Sequence, residues 1–323
     1  MLMEFPELKI SHLIPRYPII QGGMALRVST APLAAAVANA GGIGVIGASA
    51  MSIDELRNEI RTARKFTKGI IGVNIMFAIR QFASLVQSAI EEKIDLIFTG
   101  AGFSRDVFRW GKEAGIPIVP IVSSSKLAKI AERQGATAIV AEGAEAGGHL
   151  GTDRSIMDIL PEIVSAVKVP VIAAGGIVDG KGIAKVIRLG ASGVQMATRF
   201  VLSVECAVSE AFKQMYLKAK AEDVVIISSP VGMPGRALRN AFADKIISGN
   251  VPKPDGCDGC LKNCSQEYCI VKALENSRIG QVDDGVVFVG NNVHQIKEIL
   301  PVQTIIDKLV KEFAEEPENA VME

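Results

Sequence analysis

One glycine-rich stretch, residues 139–151, combines two carboxylates and a histidine with four glycines in nine residues. It opens as an apolar run and carries His149, one of three histidines in the chain. Histidine suits proton transfer because its unperturbed pKa lies nearest neutrality. Taken alone, the stretch is better explained as a glycine-rich turn with an incidental surface histidine. The order of the segments along the whole chain favours the other interpretation, in which His149 transfers a proton.

Short apolar segments alternate with helix-like segments over roughly residues 17–200, and the pattern predicts eight strands. The strands are near-continuous apolar runs, as expected for parallel strands with both faces buried. Eight such units close into a (β/α)₈ TIM barrel. A doubly wound open sheet is the competing architecture. The count of eight, and a first strand that no G-x-G-x-x-G motif follows, favour the barrel.

We predict a single domain, residues 1–323, with a barrel core over about 15–200 and a C-terminal elaboration over about 201–323. In the elaboration, the pattern predicts a helix over 205–221 that carries Cys206 and a loop over 226–236. The acidic tail, 315–318, is expected to fray.

The charge balance and aromatic content of the chain limit the kinds of partner that we expect it to bind. Thirty-five basic residues balance thirty-five acidic ones and aromatic residues make up 5%, which argues against nucleic acid and an anionic membrane surface. No apolar run is long enough to span a bilayer, and the first residues do not resemble a signal peptide. We therefore expect a cytoplasmic protein.

Glycines and polar residues concentrate where the predicted strands end, which is the active-site rim of such a barrel. The ends of the last two strands are the usual phosphate cradle. Here they carry Gly175-Gly176 and Ala197-Thr198-Arg199. The alternative is that these glycines merely permit tight packing. Because the ends of both strands carry suitable residues, we favour a phosphate site.

Six motifs follow one another along the chain: PIIQGGMA (18–25), AGGIGVIG (40–47), GVNIM (72–76), AEGAEAGGH (141–149), VIAAGGI (171–177) and GVQMATRF (193–200). Together with GRALRN (235–240) they resemble the nitronate monooxygenase family, formerly called 2-nitropropane dioxygenase. That family includes the flavin-dependent enoyl-acyl carrier protein reductases.

The resemblance implies a TIM barrel that holds FMN non-covalently. The residues it assigns to the cofactor are Gly22, Gly23, Met24, Asn74, Gly147, Gly175, Gly176, Gln195, Ala197 and Thr198. His149 takes the position of the family's catalytic histidine. A neutral imidazole could remove the α-proton of a nitroalkane, and a protonated one could stabilise a nitronate or protonate a reduced enoyl product.

Four of the five cysteines fall within thirteen residues, at Cys257, Cys260, Cys264 and Cys269. Disulfides are not expected in a cytosolic protein. The spacing predicts one Cys₄ metal site, with an iron–sulfur cluster favoured over structural zinc. Reduced, unligated thiols are the alternative. Cys206, about fifty residues upstream, is interpreted as a packed thiol.

The sequence favours an FMN-dependent oxidoreductase acting on a small molecule, a nitronate monooxygenase that oxidises alkyl nitronates with O₂. The alternative is an enoyl-acyl carrier protein reductase of fatty-acid synthesis, with NAD(P)H as reductant and an enoyl thioester as substrate. A second alternative is a flavin or metal-cluster binding module without turnover. A homodimer is a candidate assembly.

Overall fold

Eight parallel strands form a closed barrel in the computed structural model, which describes residues 3–318. The barrel strands are β1 (Ile19–Gln21), β2 (Gly44–Gly47), β3 (Ile71–Met76), β4 (Leu96–Gly100), β5 (Ile118–Val122), β6 (Ile139–Glu142), β8 (Val171–Ala174) and β9 (Gly193–Met196). The sheet runs β1-β9-β8-β6-β5-β4-β3-β2. A parallel bridge between Ile20 and Ile43 joins its two edges. The predicted barrel is confirmed.

Helices surround the barrel strands. Those of the barrel are α1 (Ala31–Asn39), α2 (Ile53–Phe66), α3 (Phe82–Glu91), α4 (Arg105–Ala114), α5 (Ser125–Gln134), α6 (Ile156–Val164), α7 (Gly180–Arg188) and α8 (Thr198–Val201). Their ends follow local sequence signals. Ser52 accepts a hydrogen bond from the Glu55 amide at the start of α2, and Gly115 and Gly135 end α4 and α5 in the left-handed conformation.

Two apolar layers hold the barrel together. Alternate strand residues point into the barrel, where Ile20, Val45, Phe98 and Val140 belong to an inner core. The residues between them face the helices and form the larger outer core. The N-terminal segment adds Leu8, Ile10 and Leu13 to the inner core. Leu8 lies beside Gly193, the first residue of β9, so this segment closes the N-terminal end of the barrel.

The chain after the barrel builds a small antiparallel sheet and four helices. The sheet order is β10-β11-β7, with β7 (Gly148–His149), β10 (Val224–Ile227) and β11 (Gly235–Leu238). The helices are α9 (Glu210–Lys218), α10 (Ala241–Ile247), α11 (Ile270–Ile279) and α12 (Val302–Ala314). The sheet places residues from beyond the barrel directly against the glycine-rich stretch.

The predicted loop over 226–236 lies at residues 228–234, and its two ends belong to β10 and β11. Two other predictions for this region were wrong. Cys206 precedes α9 rather than lying on it, although its thiol is buried as expected. The tail is held, since Arg188 donates to the Pro317 carbonyl at 2.6 Å and the Met3 amide donates to Glu316.

Over residues 3–318, no helix has both the length and the apolar character that a bilayer crossing requires.

Candidate active site

The carboxyl ends of the barrel strands present a short set of polar side chains to the barrel interior. In β6, Ala138 and Val140 belong to the inner core, so Glu142 is the next inward position. The same alternation directs Asn74 of β3 and Gln195 of β9 inward, since their neighbours Val73 and Val194 pack in the outer core. Polar groups from three separate strands therefore converge on this end of the barrel.

Gly23 and Asn74 form a tight contact at this end. A Cβ on Gly23 would lie 2.3 Å from the Asn74 Cβ, so only glycine fits. The Asn74 Nδ2 donates to the Gly23 carbonyl at 3.2 Å. Its Oδ1 is buried and accepts no hydrogen bond from the described residues. Because buried polar atoms are normally paired, this oxygen is available to a ligand with an N–H group.

The neighbouring predicted residues complete the floor of the site. Gly22 lies against the Gln195 side chain, 3.3 Å from a Cβ placed on the glycine. The Met24 amide donates to the Ser29 hydroxyl at 2.8 Å, which fixes the turn after β1. The side chain of Met24 is half-buried against the outer core.

Two consecutive glycines after β8 form one half of the predicted phosphate cradle. Gly175 and Gly176 have φ values of +108° and +70°, a conformation that turns successive amides outward and disfavours other residues. The other half is Thr198, whose hydroxyl oxygen accepts the Gly290 amide at 3.0 Å and keeps its own proton to donate. Ala197, just before it, is exposed.

Arg199 does not take part in this cradle. Its guanidinium is buried and donates to the carbonyls of Leu202 and Glu298, both at 3.0 Å. Burial lowers the pKa of Arg199. Arg199 therefore has a structural role: its guanidinium anchors the start of the elaboration.

A segment that the sequence did not single out, residues 288–292, ties the halves of the site together. The side-chain amide of Asn292 donates to the Gly176 carbonyl at 2.7 Å. The backbone amide of Gly290 donates to the Thr198 hydroxyl. A Cβ on Gly147 would lie 2.6 Å from the Val289 carbonyl carbon, so Gly147 permits this close approach. The signal available in the sequence was the Gly290-Asn291-Asn292 turn.

His149 lies in strand β7, opposite Gly235 of β11. Its Nε2 is 2.8 Å from the Ser229 hydroxyl, and its ring packs edge-on against Phe288 with 5.0 Å between centroids. Burial lowers the pKa of His149 to about 4 because charging the ring would require hydration that the site does not provide. The imidazole is therefore neutral at physiological pH.

Side-chain hydrogen bonds hold the stretch that carries His149 in place on both sides. The Arg236 guanidinium donates through Nε and Nη2 to the Ala144 carbonyl, at 3.2 and 2.6 Å. The Glu145 carboxylate accepts from the Ser155 hydroxyl at 2.6 Å and from the Ile156 amide at 3.0 Å. These contacts hold the stretch between β11 and the start of α6.

The structure does not support the predicted metal site at Cys257, Cys260, Cys264 and Cys269. Within residues 3–318, no three histidine, cysteine or acidic side chains come together in a metal-binding arrangement. Backbone hydrogen bonds from Arg80 to Cys260 and from Lys262 to Ala78 tie the segment to the turn after β3. The four thiols are free, and that of Cys257 is exposed.

Comparison with known proteins places this geometry in a family. The family model described as "Nitronate monooxygenase" matches residues 7–85 and 77–312. A Mycobacterium tuberculosis protein, "(3aS,4S,5R,7aS)-5-hydroxy-7a-methyl-1-oxo-octahydro-1H-indene-4-carboxyl-CoA dehydrogenase", is 34% identical over 77% of this chain and 70% of its own. A "Probable nitronate monooxygenase" of Staphylococcus aureus is 32% identical over 73% of this chain and 79% of its own.

Solved structures agree. FabK from Thermotoga maritima superposes with a TM-score of 0.86 and 40% identity, covering 93% of this chain and 94% of the other. A nitroalkane oxidase from Streptomyces ansochromogenes has a TM-score of 0.81 at 24% identity, covering 93% of this chain and 96% of its own. At that identity the second likeness supports the fold alone.

The barrel fold and these comparisons define the chain as a TIM-barrel flavin oxidoreductase. The chain belongs to the nitronate monooxygenase family, and that family implies FMN as cofactor. The binding module without turnover, considered from sequence alone, is therefore set aside.

Proposed function

We propose that this protein is an FMN-dependent reductase of enoyl thioesters that takes its electrons from NAD(P)H. The observation that carries the proposal is the 40% identity to FabK, an enoyl-acyl carrier protein reductase, over nearly the whole of both chains. The similarity to a dehydrogenase whose name specifies a carboxyl-CoA thioester supports the same substrate class.

Nitronate oxidation is the second candidate, and the Staphylococcus aureus relative favours it. Residues 235–240 belong to the sequence resemblance to the nitronate monooxygenase family. In the structure the first part of that segment is strand β11, which pairs with β7. Its contacts position His149 for either reaction, so they do not favour the nitronate substrate.

The residues present fit FMN. Asn74 offers a buried, unpaired acceptor for a ring N–H, and Gly22 and Gly23 leave no side chain between the ring and the strand ends. Gly176 and Thr198 supply amide and hydroxyl donors for the phosphate, as helix termini and glycine turns do elsewhere. When bound, FMN supplies hydride transfer.

His149 would serve the thioester as a neutral hydrogen-bond donor. When the Ser229 hydroxyl donates to Nε2, the ring proton resides on Nδ1 and can be directed at the thioester carbonyl. Reduction adds a hydride to one alkene carbon and a proton to the other, and negative charge develops on that carbonyl oxygen between the two additions. A neutral imidazole can stabilise such charge without losing its proton.

The proposal is tested by comparing two steady-state assays on the FMN-loaded protein. One follows NADH or NADPH oxidation with crotonyl-CoA, and the other follows oxygen uptake with an alkyl nitronate. We expect the crotonyl thioester to be turned over with the larger kcat/KM. Faster nitronate oxidation, with no NAD(P)H oxidation dependent on the thioester, would instead establish the second candidate.

A further inference from the structure

Glu142 lies where neither the sequence motifs nor the proposed chemistry assigns a role. It is the last residue of β6, paired in register with Ala174 of β8. Ala138 and Val140, four and two residues earlier, belong to the inner core, whereas Ile139 and Ala141 pack outward. The Glu142 side chain therefore continues the inward series at the end of the barrel where Asn74 also lies.

The Glu142 carboxyl group accepts and donates no hydrogen bond among residues 3–318. Ala174, which pairs with Glu142 on β8, is apolar, and on β5 Ile121 pairs with Val140, one inward position earlier. The other titratable groups come from the glycine-rich stretch and from β11. Glu145 is occupied by Ser155 and Ile156, His149 is neutral, and the Arg236 guanidinium faces the Ala144 carbonyl.

Burial alone raises the pKa of Glu142 to about 7, because no charged partner compensates the ionised form. Below that pH the group is a carboxylic acid with a proton to donate. Asn74 offers a hydrogen-bond acceptor instead of a donor, because its buried Oδ1 has no partner among the described residues. The pyrimidine edge of a flavin alternates acceptors with one N–H donor, so a donor and an acceptor on this rim are complementary to it.

We propose that Glu142 is a flavin-contacting acid, which donates a hydrogen bond to the ring when protonated and repels the reduced, anionic ring when ionised. The inference rests on FMN binding as set out under the proposed function, and is independent of which substrate is reduced. Reduction of the flavin would then draw a proton onto Glu142 from solvent around neutral pH. No covalent bond changes at this residue.

The test uses FMN-loaded wild-type protein and the Glu142→Gln variant, which keeps a donor but cannot ionise. The midpoint potential of the flavin is measured by dye equilibration one pH unit below and one above the Glu142 pKa of about 7. We expect the wild-type potential to fall more steeply with pH than that of the variant. Asp153→Asn, an exposed change just beyond the same stretch, should behave as wild type.

FMN affinity of the apoprotein gives a second readout in the same pH range. We expect the dissociation constant of the wild type to rise severalfold with pH and that of Glu142→Gln to stay constant. Equal pH dependence in the two proteins, for both potential and affinity, would overturn the proposal. Failure of the enoyl assay, by contrast, would leave these flavin readouts intact.

A measurement on the wild type covers the case in which Glu142→Gln does not fold. Infrared difference spectra on flavin reduction, with and without ¹³C-glutamate, report a protonated glutamic acid near the ring. We expect an isotope-sensitive carboxylic acid band that shifts on reduction. A spectrum with no such band would contradict the proposal.

Discussion

His149 is the residue on which turnover is expected to depend most. We predict that His149→Ala retains FMN but loses about 10²–10³-fold in kcat, the range typical of removing one hydrogen-bond donor to a developing oxyanion. Because Ser229 bonds the ring at 2.8 Å, Ser229→Ala should lower kcat by a smaller factor. Stopped-flow kinetics and the flavin absorbance of the purified variants check both. A His149→Ala variant within a few-fold of wild type would remove this role.

Burial of neutral His149 also predicts a pH dependence of folding stability. The unfolded chain titrates near the ordinary value of 6.5 and the folded chain near 4. Between these values only the unfolded state binds the proton, so the free energy of unfolding decreases as pH falls through this range. Glu142 contributes with the opposite sign, because its pKa is raised.

Urea unfolding of the apoprotein at several pH values checks this dependence. As the pH falls from 6.5 to 4, we expect the free energy of unfolding of His149→Gln to decrease less than that of the wild type. A constant difference between the two curves from pH 6.5 to 4 would show that folding does not lower the pKa of His149.

Gly176 is predicted to be essential for the phosphate half of the site. A Cβ there would lie 2.9 Å from the Glu145 Cβ at a φ of +70°, so Gly176→Ala strains the turn that presents the amides. We expect FMN affinity to fall about tenfold or more, equivalent to about 1.4 kcal/mol, with the barrel still folded by circular dichroism. Gly256→Ala, in open space, is the matched control, and an equal loss there would contradict the assignment.

At the scale of elements, the sheet β10-β11-β7 is what turns a glycine-rich stretch into a fixed support for His149. We predict that Arg236→Met, which removes the bonds to Ala144, speeds amide hydrogen exchange over residues 144–150 and lowers kcat. Arg239→Met, which removes only an exposed ion pair to Asp244, serves as control. Unchanged exchange in Arg236→Met would show that strand pairing alone holds the stretch.

The cysteine segment gives the second prediction at this scale. We expect anaerobically purified protein to contain no stoichiometric iron or zinc. Cys257 should react rapidly with a thiol reagent in the native state, while the buried Cys206 should react only on unfolding. Stoichiometric metal, lost together with thiol protection when Cys260 is replaced by serine, would contradict the structure.

These elements also show where the sequence was informative. The barrel could be predicted because its signals are local: continuous apolar strands, a serine cap at Ser52 and glycine ends at Gly115 and Gly135. Spacing along the chain was not sufficient to predict the cysteine region, because within residues 3–318 no three such side chains form a metal-binding arrangement. Ser229 and Phe288 contact His149 although they lie 80 and 139 residues further along the chain. Hydrophobic periodicity cannot predict contacts between residues so far apart in sequence.

At the scale of the whole molecule, the barrel supplies the strand ends and the later chain completes the site. Residues 288–292 bond both Gly176 and Thr198, so the phosphate cradle depends on chain that lies beyond the barrel. The six motifs were sufficient to predict the family because they lie on the barrel rim. They do not report the substrate.

One anaerobic single-turnover experiment tests the central claim most directly. The FMN-loaded protein is reduced with one equivalent of NADH or NADPH, freed of excess nucleotide, and mixed with crotonyl-CoA while the flavin spectrum is recorded. We predict that the flavin reoxidises rapidly and that butyryl-CoA forms in equal amount. A flavin that stays reduced with the thioester and reoxidises only when oxygen is admitted would contradict an enoyl-thioester reductase.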